Sequence, residues 1–526
     1  MSVPGVRRWW ALAAIVLSAL TIGFDATILN VALPTLATRI GADNSDLQWI
    51  VDSYILIFAG LLLPAGVLAD RYGRKKAMLA GLALFAGASV VAMTAGGPTA
   101  LIVARGLMGI GAATITPVAL AVIPSIFEPA ERARAVAVTT VGLGLGVPLG
   151  PLVGGYLINH FWWGSVFAVN IPTAGVAFLA VALLIPESRD PAPGRLDPLG
   201  AVLVTAGLVS FVYGIIAGPD RGWRDGLVVS TIAAGVVLLA AFVVWQRRNP
   251  EPMIDLGLFR DRRFLWAALG ATIASFAMFG LLFVLPQYLQ VVAGHDAFGT
   301  GLRLIPMMLG LVAGARISEA VAGRFGARGA IAAGLAVIAA GLAIGTFTTV
   351  NTGYGMVAAW LSVVGIGVGL SMAPAMTAIL ESLPPARTGM GSSLSQTLRQ
   401  VGGALGVAVL GSVLASTYTS GLRLPPALPP AAAHAARDSV AAAQAVAARL
   451  GMPDVYGTAR LSYVHAMDVV LLICAVASLL GAVLTARFIP ASAGRTASAA
   501  GQAGGTDLPP AGSGGRESSH EPARTA

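Results

Sequence analysis

Apolar stretches of about 20 residues, the length needed to cross the ~30 Å hydrocarbon core of a bilayer, recur along almost the whole of this 526-residue chain. Short polar or proline-rich joints separate them. Only 11% of the residues are charged, against roughly a quarter in a soluble protein, and no water-soluble surface can be built from so few. The stretches predict about fourteen spanning helices in an all-helical membrane protein. The first one follows Arg7 and Arg8, is too long for a cleaved signal peptide and contains Asp25, so it counts as a span.

An even number of spans puts both ends on one side of the membrane, and basic residues in the loops choose the side. Arg7, Arg8, Arg71, Arg74, Lys75 and Lys76 share one side with most of the other arginines. Half of the basic residues on the opposite side, Arg423, Arg437, Arg449 and Arg460, fall in one long loop that the orientation rule discounts. Both termini are therefore expected in the cytoplasm, in a multi-pass protein of the cell membrane. The net charge of +9 is a topology signal and not a nucleic-acid footprint. Two regions are expected outside the bilayer. The outer segment 416–463 carries Pro425, Pro426, Pro429 and Pro430 and then an alanine-rich stretch suited to a surface helix. The tail 491–526 is rich in Gly, Ser, Ala and Thr, cannot bury enough apolar area to fold, and is expected to be disordered.

Several chemistries find no residues here. The lone Cys474 lies in the last apolar segment and the five histidines are scattered, so neither a disulfide framework nor a metal cluster is indicated. A Walker phosphate loop and a Gly-x-Ser-x-Gly nucleophile elbow are both missing from the sequence, which argues against ATP-driven transport within this chain and against a membrane hydrolase. No cofactor is called for.

A repeat does stand out. The second span ends in Gly66-Val-Leu-Ala-Asp70-Arg71-Tyr-Gly73-Arg74-Lys75-Lys76, the tenth in Ala322-Gly323-Arg324-Phe325-Gly326-Ala327-Arg328. Both place Arg-aromatic-Gly and then a further Arg at the inner mouth of a helix, where glycine permits a tight reversal. Transporters are often built from two such similar halves.

The first copy resembles the signature loop of the major facilitator superfamily. Leu101-x-x-x-Arg105-x-x-x-Gly109-x-Gly111-Ala112 is similar to the fourth-helix motif of its drug:proton antiporters. Gly146-x-Pro148-x-Gly150-Pro151-x-x-Gly154-Gly155 resembles their fifth-helix antiporter motif, and Asp25-x-Thr27-x-x-Asn30-x-Ala32-Leu33-Pro34 resembles the first-helix motif of the fourteen-span branch. The resemblance covers roughly residues 10–486. It implies a six-helix bundle in 1–190, two inserted helices in 191–250 (199–217 and 227–244), and a second bundle in 251–490, with a central cavity opening alternately to each side. It also implies a proton-coupled antiporter that exports small hydrophobic compounds such as drugs, antibiotics or dyes, and works as a monomer. A dedicated exporter of one natural product, a nutrient symporter, and a receptor or channel are the alternatives. The second loop copy departs from the pattern, with Gly323 where the first has Asp70 and Glu319 where it has Gly66.

Gly142, Gly146, Gly150 and Gly154 recur every four residues on one face of the fifth helix, so a neighbouring helix can approach closely, while Pro148 and Pro151 can bend it. A charge inside a span costs ~2.5 to 3.5 kcal/mol, which makes each one informative. Asp25 lies past the middle of the first span and Arg105 near the start of the fourth. Burial disfavours a charged carboxyl and a guanidinium favours it, so this pair is the candidate for proton coupling, against the plainer reading of a structural ion pair. Asp52 and Glu319 are secondary candidates, Arg316 is a possible partner for Glu319, and Gly66, Asp70, Arg71, Gly73, Arg74 and Lys75 form a candidate inner gate loop. Phe276, Phe279 and Phe283, with Met278, share one side of the ninth helix, as packing surface or as cavity lining.

Overall fold

With no water in the hydrocarbon to bond free backbone, a chain of this composition must close its own hydrogen bonds within helices. A computed structural model describes residues 5–189, 196–250, 252–382 and 388–489, and the expected disorder of 491–526 lies outside them. The longer helices are α1 (Gly5–Arg39), α2 (Asn44–Tyr72), α3 (Arg74–Met93), α4 (Pro98–Ala121), α5 (Pro129–His160), α6 (Asn170–Leu184), α7 (Pro198–Arg221), α8 (Gly226–Arg248), α9 (Arg262–Gln287), α10 (Ile305–Gly345), α11 (Tyr354–Glu381), α12 (Thr388–Gly421), α13 (Pro430–Asp438), α14 (Val440–Leu450) and α15 (Pro453–Phe488). Twelve segments among the described residues are long and apolar enough to cross a membrane. The 32-residue α5 is a further long helix. The 41-residue α10 is two spans, because Gly326 interrupts it with φ 73°. The span count therefore agrees with the expected fourteen.

Packing contacts group the spans into neighbours. In the first half α1 packs on α5 and α6, α2 on α4, and α3 on α4 and α6; in the second, α9 packs on α11, α12 and α15, and α10 on α11 and α15. The inserted α7 and α8 pair with each other, and α7 also lies against α2 and α12, touching both halves. The two repeat copies form matching reversals. Gly73 turns α2 into α3 with φ 120°, and a Cβ there would stand 2.6 Å from Glu187 Oε1. Gly326 does the same within α10, and in each copy the preceding arginine lies near the adjacent ring, Arg71 by Tyr72 and Arg324 by Phe325.

Contacts at the helix ends order the two faces. Arg8 pairs with Glu131 at 2.7 Å, which brings together the starts of α1 and α5. At the far end of the bundle, Gln48 near the start of α2 meets Ser412 late in α12, and Ser462 of α15 donates to the Tyr418 carbonyl at 2.8 Å. Hence α15 runs back toward the face where α1 begins, and Phe488 stacks on Trp266 near the start of α9. The segment expected as a loop over 416–463 is shorter. α12 continues to Gly421 and α15 begins at Pro453, and between them α13 and α14 form two helices where one was expected. Ala436, Val440 and Ala443 are buried, and Tyr418 donates to the Ala436 carbonyl at 2.9 Å, because an alanine face can pack closely on its neighbours.

Helices α1 and α5 approach each other closely. A Cβ at Gly146 would lie 2.6 Å from the Phe24 nitrogen, at Gly150 2.8 Å from the Phe24 oxygen and the Ile28 nitrogen, and at Gly154 2.9 Å from the Ile28 oxygen. The surroundings of Gly142 and the Pro148 side chain lie outside the described residues. At Gly66, by contrast, a Cβ would meet Pro117 at an ordinary 3.5 Å. Gly150→Ala is therefore expected to destabilise by about 1 to 3 kcal/mol through overpacking and Gly66→Ala to be nearly neutral, compared by thermal unfolding of the two purified variants in detergent.

Candidate functional site

The α1 turn that Gly150 holds against α5 carries Asp25. On its other side Asp25 meets Arg105 of α4, with Oδ2 2.6 Å from Nη1. Both side chains are enclosed, at 0% and 1% exposure. Arg105 is held by two further contacts from α2: its Nε donates to the Ile50 carbonyl at 3.2 Å, and its guanidinium lies 4.2 Å from the centre of the Tyr54 ring. The second oxygen of Asp25 accepts from Nδ2 of Asn170, the first residue of α6, at 2.8 Å. Four helices of one half thus converge on one carboxylate.

Such a pair survives burial only when its geometry is good and its remaining lone pairs are bonded. Here the carboxylate has a charged donor on one oxygen and an amide donor on the other, the arrangement of strong charge-assisted bonds. Removing one partner of a buried pair costs ~3 to 5 kcal/mol because it strands the other charge.

Of the candidates for proton coupling, Asp25 and Arg105 are brought together among the described residues, and Asp52 and Glu319 are not. Asp52 is fully buried and neither of its oxygens has a hydrogen-bond partner, yet it faces elsewhere. It follows Gln48 by one turn and sits roughly 160° around α2 from Tyr54, at 100° per residue. Gln48 packs on Gly411 and Ser412 of α12, so Asp52 belongs to the seam between the halves. Glu319 and Arg316 are both exposed on α10 and form no ion pair among the described residues. Their three-residue spacing did not produce the pair it permits. Asn170 and Tyr54 were missed, since a search for charges passes over an amide and a phenol. The only sequence signal for Asn170 is an amide at the edge of an otherwise apolar span.

The loop residues form a second cluster. Asp70 pairs with Arg74 at 2.7 Å, the Lys75 Nζ donates to the Ala182 carbonyl at 2.6 Å, and the Lys75 nitrogen donates to Glu187 Oε1 at 3.1 Å. The Arg74 nitrogen donates to the Ser188 carbonyl at 2.9 Å, while Arg71 is exposed. The loop is thus fastened to the end of α6 by Glu187, another residue outside the sequence candidates. At the opposite face α5 closes on the second half. Gly155 abuts the Ala297 carbonyl, a Cβ at Gly301 would lie 2.5 Å from the Pro151 oxygen, and Asn159 donates to Asp296. Phe283 and Met278 are buried, and the Phe279 ring covers Gly403 of α12, which makes that stripe packing surface. Among the described residues no group of His, Cys, Asp and Glu could hold a metal ion.

Known proteins share both the sequence and the fold. The multidrug efflux pump LfrA of Mycolicibacterium smegmatis is 34% identical over 84% of this chain and 88% of its own. The puromycin resistance protein pur8 of Streptomyces alboniger is 35% identical over 78% and 82%, and the tetracenomycin C resistance and export protein of Streptomyces glaucescens 31% over 78% and 76%. Among solved structures, a bacterial homolog of the human lysosomal transporter Spinster superposes with a TM-score of 0.65 at 18% identity, covering 93% of this chain and 98% of that one. The sequence profile of the Major Facilitator Superfamily matches residues 15–407, a stretch that runs from α1 into α12 and contains the Asp25 cluster. By that match, and by relatives aligned over most of its length, this chain belongs to the major facilitator superfamily.

Proposed function

We propose that this protein exports small hydrophobic compounds across the cytoplasmic membrane in exchange for protons, by alternating access between its two halves. The observation that carries the reading is the enclosed Asp25–Arg105 pair, a titratable acid balanced by one cation and backed by the closely packed α5. Relatives named for multidrug efflux and for antibiotic export support the substrate class. In this reading a proton arriving from outside neutralises Asp25 and weakens its hold on Arg105 or on a cationic guest, and the guest leaves outward. Loss of the proton to the cytoplasm restores the site, so the two ligands compete for one charge. Asp52, buried without a partner on the seam, is the second candidate for a proton. The Asp70–Arg74 loop acts as the inner gate, exchanging contacts as the halves rock. A dedicated exporter of one natural product is the second reading, favoured by the relatives named for tetracenomycin C and puromycin.

Asp25→Asn carries the neutral form permanently and is expected to abolish pH-gradient-driven dye accumulation in inverted vesicles. Normal accumulation by that variant would move the coupling site to Asp52. Asp70→Asn loses one charge-assisted contact at the loop and should leave abundance unchanged while slowing transport about tenfold, the equivalent of ~1.4 kcal/mol; unaltered turnover would reduce the loop to a topology signal. A fluorescent reporter active only in the cytoplasm, fused to the C-terminus, should be bright, and a dark but fully expressed fusion would reverse the orientation.

A further inference from the structure

Asn170 is fully buried at the first position of α6, just after Val169, whose backbone is itself helical, so Asn170 does not stand at a capping position. Its Nδ2 is spent on Asp25, and its own Oδ1 is buried with no partner. An unpaired carbonyl is costly to bury, so the amide is poorly explained as a packing group. The donors around Asp25 are also unequal in kind. Arg105 has donors only and can serve the carboxylate but cannot accept from the protonated acid. An amide carries both a donor and an acceptor, which exchange places on a half-turn of its plane.

We propose that Asn170 is the positioning residue that serves Asp25 in both protonation states, donating from Nδ2 to the carboxylate and, turned over, accepting the carboxyl O–H on the oxygen that is now unpaired. The proton arrives as hydronium, whose O–H bond breaks as the carboxyl O–H forms, leaving a water molecule. Two ionisable groups face Asp25, Arg105 from α4 and Tyr54 from α2. α6 has no ionisable residue, and the other long helices against α1 carry theirs toward their ends: Arg262 and Arg263 on α9, and Glu131, Arg132, Arg134, Tyr156 and His160 on α5. The inference rests on Asp25 being the coupling acid.

The test is the pH dependence of dye export by full-length protein in vesicles, with surface abundance measured in parallel. A bond to a charged acceptor is stronger than one to a neutral group, so removing the amide penalises the charged form more. Asn170→Leu should move the pH of half-maximal transport upward by about one unit and lower the maximal rate. Asn170→Asp replaces the donor by a second carboxyl and should move it further in the same direction. A wild-type midpoint in both variants, with rates reduced equally at every pH, would show a merely structural side chain and overturn the inference. If both variants are poorly expressed, Asn170→Ser, which keeps a small donor and acceptor, should fold and show a midpoint between wild type and Asn170→Leu; a wild-type midpoint there would equally overturn it. Failure of the parent reading is distinct: it would appear as persistent proton-driven export by Asp25→Asn.

Discussion

A carboxylate enclosed in a membrane-spanning bundle must have every lone pair accounted for, and the first half of this protein is arranged to do that for Asp25. Hydrocarbon offers it no hydrogen bonds, and an isolated charge there would neutralise or pull water in. Arg105 supplies the countercharge, Asn170 the second donor, and Ile50 and Tyr54 hold the guanidinium in place. Since these groups come from four helices, the packing of α1, α2, α4 and α6 is tied to one ionic contact.

Close packing provides the rigidity that such a contact needs. Helices in a bilayer gain little from the hydrophobic effect against one another, so small residues that let backbones touch do the work of association. Gly146, Gly150 and Gly154 bring α5 against Phe24 and Ile28, the neighbours of Asp25 on its own turn. The same helix continues past Pro151 and Gly155 to touch residues of the second half. α5 thus joins the seam to the turn that carries Asp25 through continuous backbone contacts. α7 adds a second connection, since Ser412 of α12 donates to its Ile215 carbonyl at 2.9 Å while Trp49 of α2 packs on its Tyr213.

The glycine reversals show how repeat and site differ in what they demand. Gly73 needs its glycine twice, for a positive φ and because Glu187 fills the space a Cβ would take. Gly326 shares the positive φ, but its copy lacks the acid of the first, and among the described residues the first loop is fastened by an acid just past the end of α6. Symmetry in the backbone thus does not extend to the chemistry.

Span number, the shared backbone of the two halves and the pairing of Asp25 with Arg105 were legible in the sequence, because each depends on a strong local quantity: twenty apolar residues, a glycine at a forced turn, or a charge too costly to keep in hydrocarbon without a partner. Legibility stopped where the deciding quantity was relative position. Asp52, Glu319 and Asp25 look alike as acids near spans, yet one lies on the seam without a partner, one is exposed, and one is enclosed by four helices. Asn170, Tyr54 and Glu187 carry no signal strong enough to single them out, and they matter because folding brings them into contact with groups from 51 to 145 residues away. The sequence by itself determined that this chain crosses a membrane many times and keeps a buried acid and base. Only the tertiary structure decided which neighbours complete that pair, since hydrogen bonds act over about 3 Å and no spacing along the chain specifies contacts between separate helices.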